Sequence, residues 1–356
     1  MPETFKTHIV RLDGLNALES DVISISQLIP FDHSSTVLIQ DSMALLQSMN
    51  VKVFKTFGNL AEHFIKCQQQ CFPSAATVVG VFDRYDKKLS IKSAERNRHS
   101  SSFGDHKVFQ LIDGRPIPDW KKFLGVNANK QALLKFLGDF VIRSHSQSSI
   151  VTSSDDELYL AGLFSDPSTT KNFTPSKVSD CPDLFNNHEE ADTCMLLHAI
   201  HADARFGDMN VKGCIIIKSP DTDVLLLCIH FFPSMRNTKE LWFKTGTVTR
   251  TKDGRRYLPV HDICHIHGPL VCKLLPAVHA LTGCDTTSSF FRMGKKTVLK
   301  TLQDNIDEFA DLNKLCLLDS ETSIDVSRNF VARLYDQKGK MKSAHDNLNR
   351  LQSRRM

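Results

Sequence analysis

Three short apolar runs, each followed at once by acidic side chains, limit most strongly how this chain can fold. The runs are STVLIQD (35–41), AATVVGVFD (75–83) and KGCIIIKSPDTD (212–223). Continuous apolar runs of this length are typical of strands in a parallel sheet that is covered on both faces. We therefore predict an α/β fold in which a mostly parallel sheet is flanked by helices.

The acids that end these runs are Asp41, Asp83, Asp221 and Asp223. In an open parallel sheet, strand ends of the same sense meet at one edge, and ligands bind there. The three runs therefore predict that separate segments deliver carboxylates to one cleft.

Further acids are predicted to reach the cleft from outside these strands. The segment HEEADTCMLLHAIHADARFG (188–207) has apolar residues at helical spacing, and it places Glu190 and Asp192 near the start of the helix. The helix dipole favours acids at that position. Asp285 closes another apolar segment, in LTGCD. Together with the strand acids, these residues form the candidate carboxylate set.

Such a set predicts a metal site. Unit charges about 4 Å apart interact at about 4 kcal/mol at an effective dielectric of 20, so the acids would repel each other strongly unless cations neutralise them. Mg²⁺ and Mn²⁺ take oxygen ligands. Two such ions can activate a water and stabilise a leaving oxygen in phosphodiester hydrolysis. A single acid of the set is more simply explained as a cap or turn residue, whereas their order along the chain favours the metal.

The composition predicts a globular intracellular protein. Of the 356 residues, 41% are hydrophobic and 24% are charged, which is ordinary for a globular chain. The first 20 residues lack the apolar core of a signal peptide, and no run approaches the roughly 20 apolar residues that span a bilayer. The ten cysteines stand mostly in apolar stretches, as reduced thiols do. We expect a nuclear or cytoplasmic location and no membrane partner.

The charge is unevenly distributed along the chain. The net charge is +4, and residues 328–356 hold eight Lys or Arg against two Asp. A basic segment on an acidic-leaning body is compatible with binding a polyanion. A solvated terminal helix explains the same charges at least as well.

The second half of the chain predicts a hairpin followed by helices. ELWFKTGTVTR and RRYLPV flank TKDG, which is a hairpin signal. HDICHIHGPLVCKLLPAVHALTGCD begins as a helix that Pro269 and Pro276 are expected to interrupt. From GKKTVLKTL onward the pattern is mostly helical.

Five blocks in this pattern carry a family resemblance. They are VLIQDSMALLQ, VVGVFDRYDKKLSIKSAERNRH, HEEADTCMLL, SPDTDVLLL, and LWFKTG through HALTGCDTTSSFFRMGKKTVLKTL. In type and order they resemble the flap endonuclease and XPG-like branch of the PIN-like 5′-nuclease superfamily, whose members are divalent-metal-dependent, structure-selective nucleases. The resemblance implies a PIN-like sheet flanked by helices, a helical arch or cap insertion, and a helical C-terminal region.

The resemblance also implies roles for particular residues. The acids would hold two Mg²⁺ or Mn²⁺ ions, and these acids are Asp41, Asp83, Glu190, Asp192, Asp221, Asp223 and Asp285. Lys92 and Arg96 resemble the catalytic basic residues that steer the scissile phosphate and stabilise its charge, and Arg98 assists them. The residues that would bind nucleic acid elsewhere are Lys295, Lys296 and Thr297. The implied partner is nucleic acid, with DNA favoured over RNA.

The charges of the basic segment at residues 83–98 indicate a partner independently of the family resemblance. Residues 83–98 interleave six Lys or Arg with three acids, which suits a phosphate partner. A solvated helix face is the alternative.

The chain departs from the family pattern at three positions. Gln40 aligns with the family's Asp when no gap is allowed, which displaces Asp41 by one residue. A slip of one residue reverses the direction of a side chain in a strand. Arg292 replaces the first glycine of a glycine-x-glycine turn, and Asp192 is shorter than the family's usual Glu.

The predicted domains follow the blocks. We expect an N-terminal extension (1–34), a nuclease core (35–290) with an insertion at about 99–187, and a basic helical region (291–356) with a helix-hairpin-like start. The insertion matches nothing in the family, and it forms either an arch or cap that sorts substrates or a decorated crossover.

Two other function classes stay open. One is a nucleic-acid-binding or scaffold protein that keeps the fold with weakened chemistry, as Gln40 and Arg292 suggest. The other is a glycosyltransferase that uses Asp221 and Asp223 to hold a metal and a nucleotide sugar.

Two groups of His and Cys residues give weaker signals. A zinc site is conceivable at His261, Cys264, His265, His267 and Cys272. Cys67 and Cys71 stand one helical turn apart, and we interpret them as packing residues.

Overall fold

The computed structural model describes residues 22–25, 32–86, 107–245, 256–284, 287–291 and 293–336. Within these ranges, eight strands form one sheet. The strands are Thr36–Asp41 (β1), Thr77–Val81 (β2), Glu157–Ala161 (β3), Thr170–Thr174 (β4), Lys177–Asp180 (β5), Gly213–Lys218 (β6), Thr238–Thr245 (β7) and Arg256–Pro259 (β8). Their order across the sheet is β5-β4-β3-β2-β1-β6-β7-β8.

Helices account for most of the remaining described residues. The α-helices are Ser42–Ser48 (α1), Phe57–Gln69 (α2), Trp120–Leu124 (α3), Asn127–Gln147 (α4), Ala191–Asp208 (α5), Thr222–Phe231 (α6), Val260–Thr282 (α7), Lys295–Asp304 (α8) and Ser320–Tyr335 (α9). Short 3-10 helices are His33–Ser35, Val51–Val53, Phe72–Ser74, Pro182–Leu184, Phe232–Ser234 and Ile306–Lys314. None of the described helices combines the length and the apolar content that crossing a bilayer requires.

The sheet is mostly parallel. β1 pairs in parallel with β2 and β6, β2 with β3, and β6 with β7, whereas β4 and β5 are antiparallel additions. The three apolar runs form β1, β2 and β6, which are adjacent strands in the middle of the sheet. The predicted α/β class and the mostly parallel sheet flanked by helices are therefore confirmed.

The strand order creates a crevice beside β1. From β1 the chain continues through β2 to β3 on one side, while β6 and β7 lie on the other side. In open α/β sheets, ligands bind outside the carboxyl ends of the strands at such a switch point. The ends of β1, β2 and β6 therefore mark where a site is expected.

Apolar side chains cover both faces of the sheet. The larger cluster includes the fully buried residues Phe57 and Phe64 of α2 and Leu133 of α4. A smaller cluster on the same face contains Leu38 of β1 and Ile216 of β6, which pair in register. The alternate residues Val37 and Ile39 of β1 point to the opposite face, and they are buried as well. Because both faces are covered, the three central strands are apolar along nearly their whole length.

Residues 107–187 contribute three strands to the sheet and two α-helices that flank it. This range contributes α3, α4 and strands β3 to β5, and β3 pairs with β2 along all five residues of β2. The described part of the predicted insertion therefore forms a crossover whose strands extend the sheet edge. Residues 99–106 of that insertion lie outside the described residues, and the arch or cap stays a prediction. The basic residues at 87–98 lie outside the described residues.

The chain divides into two compact units. One comprises residues 25–224 and 235–257, and the other comprises residues 1–24, 225–234 and 258–356. The second unit holds α7, α8 and α9, and α7 packs on the 3-10 helices Phe232–Ser234 and Ile306–Lys314. The divisions fall after residues 24, 224, 234 and 257, the second within α6 and the last within β8. The boundaries expected after residues 34 and 290 stay predictions.

Helix α7 is kinked near its middle. The backbone of Gly268 has φ 78° and ψ 160°, which is not helical. Gly268 immediately precedes Pro269, and a proline ring disfavours the helical conformation of the residue before it. The interruption expected at Pro269 therefore lies one residue earlier, whereas Pro276 lies within the helix.

Candidate metal centre

Three strand ends bring acidic side chains to the crevice. Asp41 is the last residue of β1, Asp83 follows β2 by two residues, and Asp221 follows β6 by three. Together with residues from α5, they line one cavity of about 240 Å³. The lining residues are Asp41, Met43, Ala44, Gln47, Asp83, Tyr85, Lys130, Glu190, Asp192, Pro220 and Asp221. Five of the seven predicted acids therefore share one cavity.

Asp41 reaches the cavity from a helix-capping position. Its Oδ1 accepts a hydrogen bond of 2.8 Å from the backbone N–H of Ala44, so it caps α1. Burial raises the pKa of Asp41 to about 6, against hydrogen bonds from the backbone of Ala44 and Met43. The charges of Asp83 and Asp221 contribute to this rise of the pKa. Repulsion among the cavity acids therefore acts on Asp41 directly.

Gln40, the competing residue, lies in a different environment. Its side chain is 1% exposed, and its Nε2 donates a hydrogen bond of 2.6 Å to Oε1 of Gln68. Its Oε1 accepts from Nζ of Lys218 at 3.3 Å, and the two residues pair in register between β1 and β6. Successive strand residues point to opposite faces. The structure therefore places Asp41 on the cavity and Gln40 in a buried polar network.

Asp83 connects β2 to the start of α5. Its Oδ1 accepts a hydrogen bond of 2.9 Å from the backbone N–H of Ala191, the first residue of α5. The first N–H groups of a helix have no partner within the helix. The carboxylate of Asp83 accepts the N–H of Ala191. This hydrogen bond fixes the start of α5, which carries Glu190 and Asp192, at the cavity.

Asp221 begins α6 in a similar way. Its Oδ1 accepts a hydrogen bond of 3.0 Å from the backbone N–H of Asp223, and its own N–H donates to Oγ of Ser219 at 3.0 Å. Asp221 lines the cavity, whereas Asp223 lies outside the described lining. The two adjacent acids therefore differ in role: one faces the cavity, and the other supplies the N–H that orients it.

Sequence reasoning missed three polar residues of the described lining, which are Gln47, Tyr85 and Lys130. Lys130 comes from α4, in the insertion, and its Nζ lies 4.8 Å from the ring centroid of Tyr85. The Tyr85 hydroxyl donates a hydrogen bond of 3.1 Å to Oδ2 of Asp83. Tyr85 follows Asp83 by two residues in the chain, and that proximity could have indicated it. Nothing in the sequence around Lys130 could have indicated that α4 returns to this edge of the sheet.

The described lining of this cavity includes none of the other predicted site residues. Lys92, Arg96, Arg98 and Asp285 lie outside the described residues, as does Arg292. Lys295 begins α8, and its Nζ donates to Oγ1 of Thr282 at 3.0 Å and to the carbonyl of Gly283 at 2.7 Å. Lys296 and Thr297 follow it in the first turn, with Lys296 exposed.

The weaker candidates have local partners of their own. Cys264 Sγ lies 3.4 Å from the carbonyl of Ile229, and His267 Nδ1 lies 2.8 Å from Nε2 of Gln303. Cys71 Sγ lies 3.3 Å from the carbonyl of Cys67. These contacts are those of packed side chains.

The chemistry of the cavity fits a hard divalent cation. Its described lining has five carboxylates and one cation, Lys130. Carboxylate oxygens are the ligands that Mg²⁺ and Mn²⁺ prefer. Among the described residues, no three His, Cys, Asp or Glu side chains lie close enough together to hold one metal ion as they stand. The residues that would hold a metal are Asp41, Asp83, Glu190, Asp192 and Asp221.

Comparison with known proteins adds no relative. No protein-family model matches the chain, and no curated protein sequence matches it. The resemblance to the 5′-nucleases therefore depends on the five sequence blocks.

Proposed function

We propose that this protein is a divalent-metal-dependent phosphodiesterase that hydrolyses nucleic acid. One observation carries the proposal: acids from the ends of three adjacent parallel strands and from the start of α5 line a single cavity at the switch point of the sheet. This is where open α/β sheets bind ligands. The sequence resemblance supports the same function and favours DNA over RNA.

The electrostatics of the cavity support a bound cation. Like charges at short range oppose ionisation, and the pKa of Asp41 is raised to about 6 by burial with added repulsion from Asp83 and Asp221. A divalent ion would remove that repulsion. When bound, Mg²⁺ or Mn²⁺ supplies an activated water and stabilises the leaving oxygen of a phosphodiester.

The protein's own groups would orient the acids and the substrate. Asp83 is held by the N–H of Ala191 and the hydroxyl of Tyr85, and Asp221 is held by the N–H of Asp223. Fixed acids cost little reorganisation when a ligand binds. Lys130 brings a positive charge to the cavity for a phosphate.

A cleavage assay with matched variants tests this function. The protein is incubated with Mg²⁺ or Mn²⁺ and labelled 5′-flap, single-stranded and hairpin DNA and RNA, beside Asp221→Asn and Asp83→Asn. Asp139→Asn is the control, because Asp139 is an exposed acid of α4 outside the described cavity lining. We expect cleavage by wild type and Asp139→Asn, with a loss of at least 100-fold in the other two. Cleavage that persists in both cavity variants, or none by wild type on any substrate, contradicts the proposal.

A scaffold protein is the second candidate, and the capping contacts favour it. Asp41, Asp83 and Asp221 each accept a backbone N–H at a helix start, as purely structural acids do. Isothermal titration with Mg²⁺ and Mn²⁺ separates the two candidates. A nuclease should bind metal in a manner that Asp221→Asn weakens, whereas a scaffold should show no binding at the cavity.

A further inference from the structure

A second cavity lies beside the carboxylate cavity. Its volume is about 260 Å³, and Asp83 and Tyr85 line both cavities. The rest of its wall comes from Arg84 and Asp86 after β2, from α4 and from the turn after β3, including Ala132 and Phe164. It belongs wholly to the unit that contains the sheet. A group bound there would be adjacent to one bound among the carboxylates.

The second cavity differs from the first in charge. Its charged lining residues are Asp83, Arg84, Asp86 and Lys135, so acids and cations are equal in number. Arg84 and Asp86 neutralise each other, because Nε and Nη2 of Arg84 donate to the two carboxylate oxygens of Asp86 at 3.1 and 2.8 Å. Five carboxylates favour a cation in the first cavity, whereas the balanced second cavity suits a neutral group.

The lining of the second cavity suits an aromatic ligand. Tyr85 and Phe164 provide aromatic surface, and Gln131 and Ser165 provide polar groups that can pair with a base edge. The volume is below the roughly 300–1,000 Å³ of pockets for drug-sized ligands, so the ligand is small.

Two features fix the wall of this cavity. Gly162 has φ 79°, and a Cβ there would lie 2.7 Å from the carbonyl oxygen of Phe82. A Cβ on Gly138 of α4 would lie 2.5 Å from the carbonyl oxygen of Leu163. These glycines allow α4, β2 and the turn after β3 to approach closely, so the cavity is built by the packed fold.

We propose that the second cavity binds an unpaired nucleobase next to the phosphate that enters the carboxylate cavity. This inference rests on the proposed function, since it names the part of the substrate that the neighbouring site recognises. It implies that the substrate strand is single-stranded at the point of cleavage, because a base in this cavity cannot be paired. Stacking on aromatic side chains is tolerant of sequence, so little preference among bases is expected.

Ligand binding without cleavage provides the test. The full chain in Mg²⁺ is titrated with AMP and with ribose 5-phosphate, neither of which has a phosphodiester bond to cleave, and binding is followed by saturation-transfer NMR of the ligand protons. Both ligands carry the same phosphate, so the difference in affinity measures the base. Stacking typically contributes enough for roughly a ten-fold difference, and we expect AMP to bind at least ten-fold more tightly.

Substitutions in the wall of the second cavity test whether the difference in affinity between AMP and ribose 5-phosphate arises there. Ala132→Leu and Ala128→Leu fill it from α4, where Ala132 is half-buried and Ala128 is exposed, so at least the second should fold normally. Ser146→Leu adds the same bulk to an exposed position of α4 outside the described lining. We expect both alanine variants to bind AMP only as weakly as ribose 5-phosphate, and Ser146→Leu to bind as wild type does. Equal binding of the two ligands by wild type, or full AMP binding by a folded Ala128→Leu variant, overturns the inference.

The outcome is distinguishable from a failure of the proposed function. Base-dependent binding that the leucine variants remove supports the nucleobase site even if no substrate is cleaved. Cleavage without base-dependent binding supports the nuclease and overturns the nucleobase site. If the protein does cleave, replacing the base next to the cut by an abasic position should lower the cleavage rate about ten-fold. In Ala128→Leu, the same abasic position should not lower the cleavage rate.

Discussion

Asp41 and Gln40 are neighbours in the chain, yet their side chains serve different parts of the molecule. Asp41 lines the carboxylate cavity, and Gln40 joins Gln68 and Lys218 in a buried network. The sequence predicts that β1 ends near these residues with an acid. It does not predict which of the two faces the cavity. The face to which each side chain of β1 points depends on how β1 aligns with β6, and that pairing is a long-range contact.

Replacing Asp41 with Asn should stabilise the metal-free protein at neutral pH. Its pKa is raised from 3.8 to about 6 in the folded state, so the folded protein holds a proton that the unfolded chain has lost. The free energy of unfolding therefore falls as pH rises from about 4 to about 6. Asn keeps the capping oxygen and carries no charge. We expect a gain of at most about 3 kcal/mol at pH 7.5 and no gain near pH 3.

Urea unfolding followed by tryptophan fluorescence measures this effect. The chain has two Trp residues, Trp120 and Trp242, and both lie in the unit that contains the sheet. Asp319 is a suitable control, because it also caps a helix but hydrogen bonds from Thr322 lower its pKa. Asp319→Asn should therefore give no stabilisation at pH 7.5. A loss of stability in Asp41→Asn at pH 7.5 would show that the burial of its charge, with the added repulsion, does not set the stability at this residue.

Replacing Gln40 with Ala should destabilise the fold without affecting the proposed metal site in the carboxylate cavity. The change removes the partners of Gln68 and Lys218 in a buried region and leaves a cavity. We expect a cost of about 2–4 kcal/mol in urea unfolding and unchanged Mg²⁺ affinity. Gln147→Ala, at an exposed position of α4, should change stability by less than about 0.5 kcal/mol. A weakened metal affinity in folded Gln40→Ala would instead assign Gln40 to the metal centre.

At the scale of elements, the strongly apolar strands were predictable and the polar ones were not. β1, β2, β6 and α5 follow from continuous apolar runs or helical spacing. β4 and β5 read TKNFT and KVSD, whose composition does not distinguish a strand from a loop. They form strands because β3 offers its edge for pairing, and tertiary context of this kind outweighs local propensity. The position of α4 beside the cavity likewise depends on tertiary pairing, because α4 leads into β3 and β3 pairs with β2.

The packing of α4 on the turn after β3 can be tested at Gly138. Alanine normally favours a helix over glycine by about 1 kcal/mol. Here, however, a Cβ would lie 2.5 Å from the carbonyl oxygen of Leu163 and 3.2 Å from Cδ1 of Phe164. We expect Gly138→Ala to lose about 1–3 kcal/mol of stability because the helix must shift.

Gly114→Ala is the matched control for that change. A Cβ at Gly114 would meet no atom within 4 Å, and its backbone is not in the left-handed region. Alanine should therefore leave stability unchanged or raise it by up to about 1 kcal/mol. Equal effects of the two substitutions on urea unfolding would show that α4 does not pack closely on the turn.

At the scale of the whole molecule, the site depends on topology more than on any motif. Asp41, Asp83 and Asp221 come from positions up to 180 residues apart, and they meet because β2 and β6 flank β1. A parallel sheet predicts that strand ends share an edge, but the order of the strands decides which ends are adjacent. That order also explains why Lys130 and Tyr85 complete the cavity, although no sequence block contains both.

The acids of the cavity should make metal binding, pH and folding stability depend on one another. Asp41 is mostly protonated at pH 5, and a metal must displace that proton. Mg²⁺ at ten times its dissociation constant should add about 1.4 kcal/mol to the free energy of unfolding at pH 7.5. At pH 5 the same concentration should add only about 0.4 kcal/mol, because the proton weakens affinity about ten-fold.

Urea unfolding with and without Mg²⁺, again followed by tryptophan fluorescence, measures both values. Asp139→Asn should respond to Mg²⁺ as wild type does, and Asp221→Asn should respond weakly at either pH. Mg²⁺ stabilisation that is equal at pH 5 and 7.5 would show that the ion binds away from Asp41. Stabilisation that Asp221→Asn retains in full would place the ion outside the carboxylate cavity.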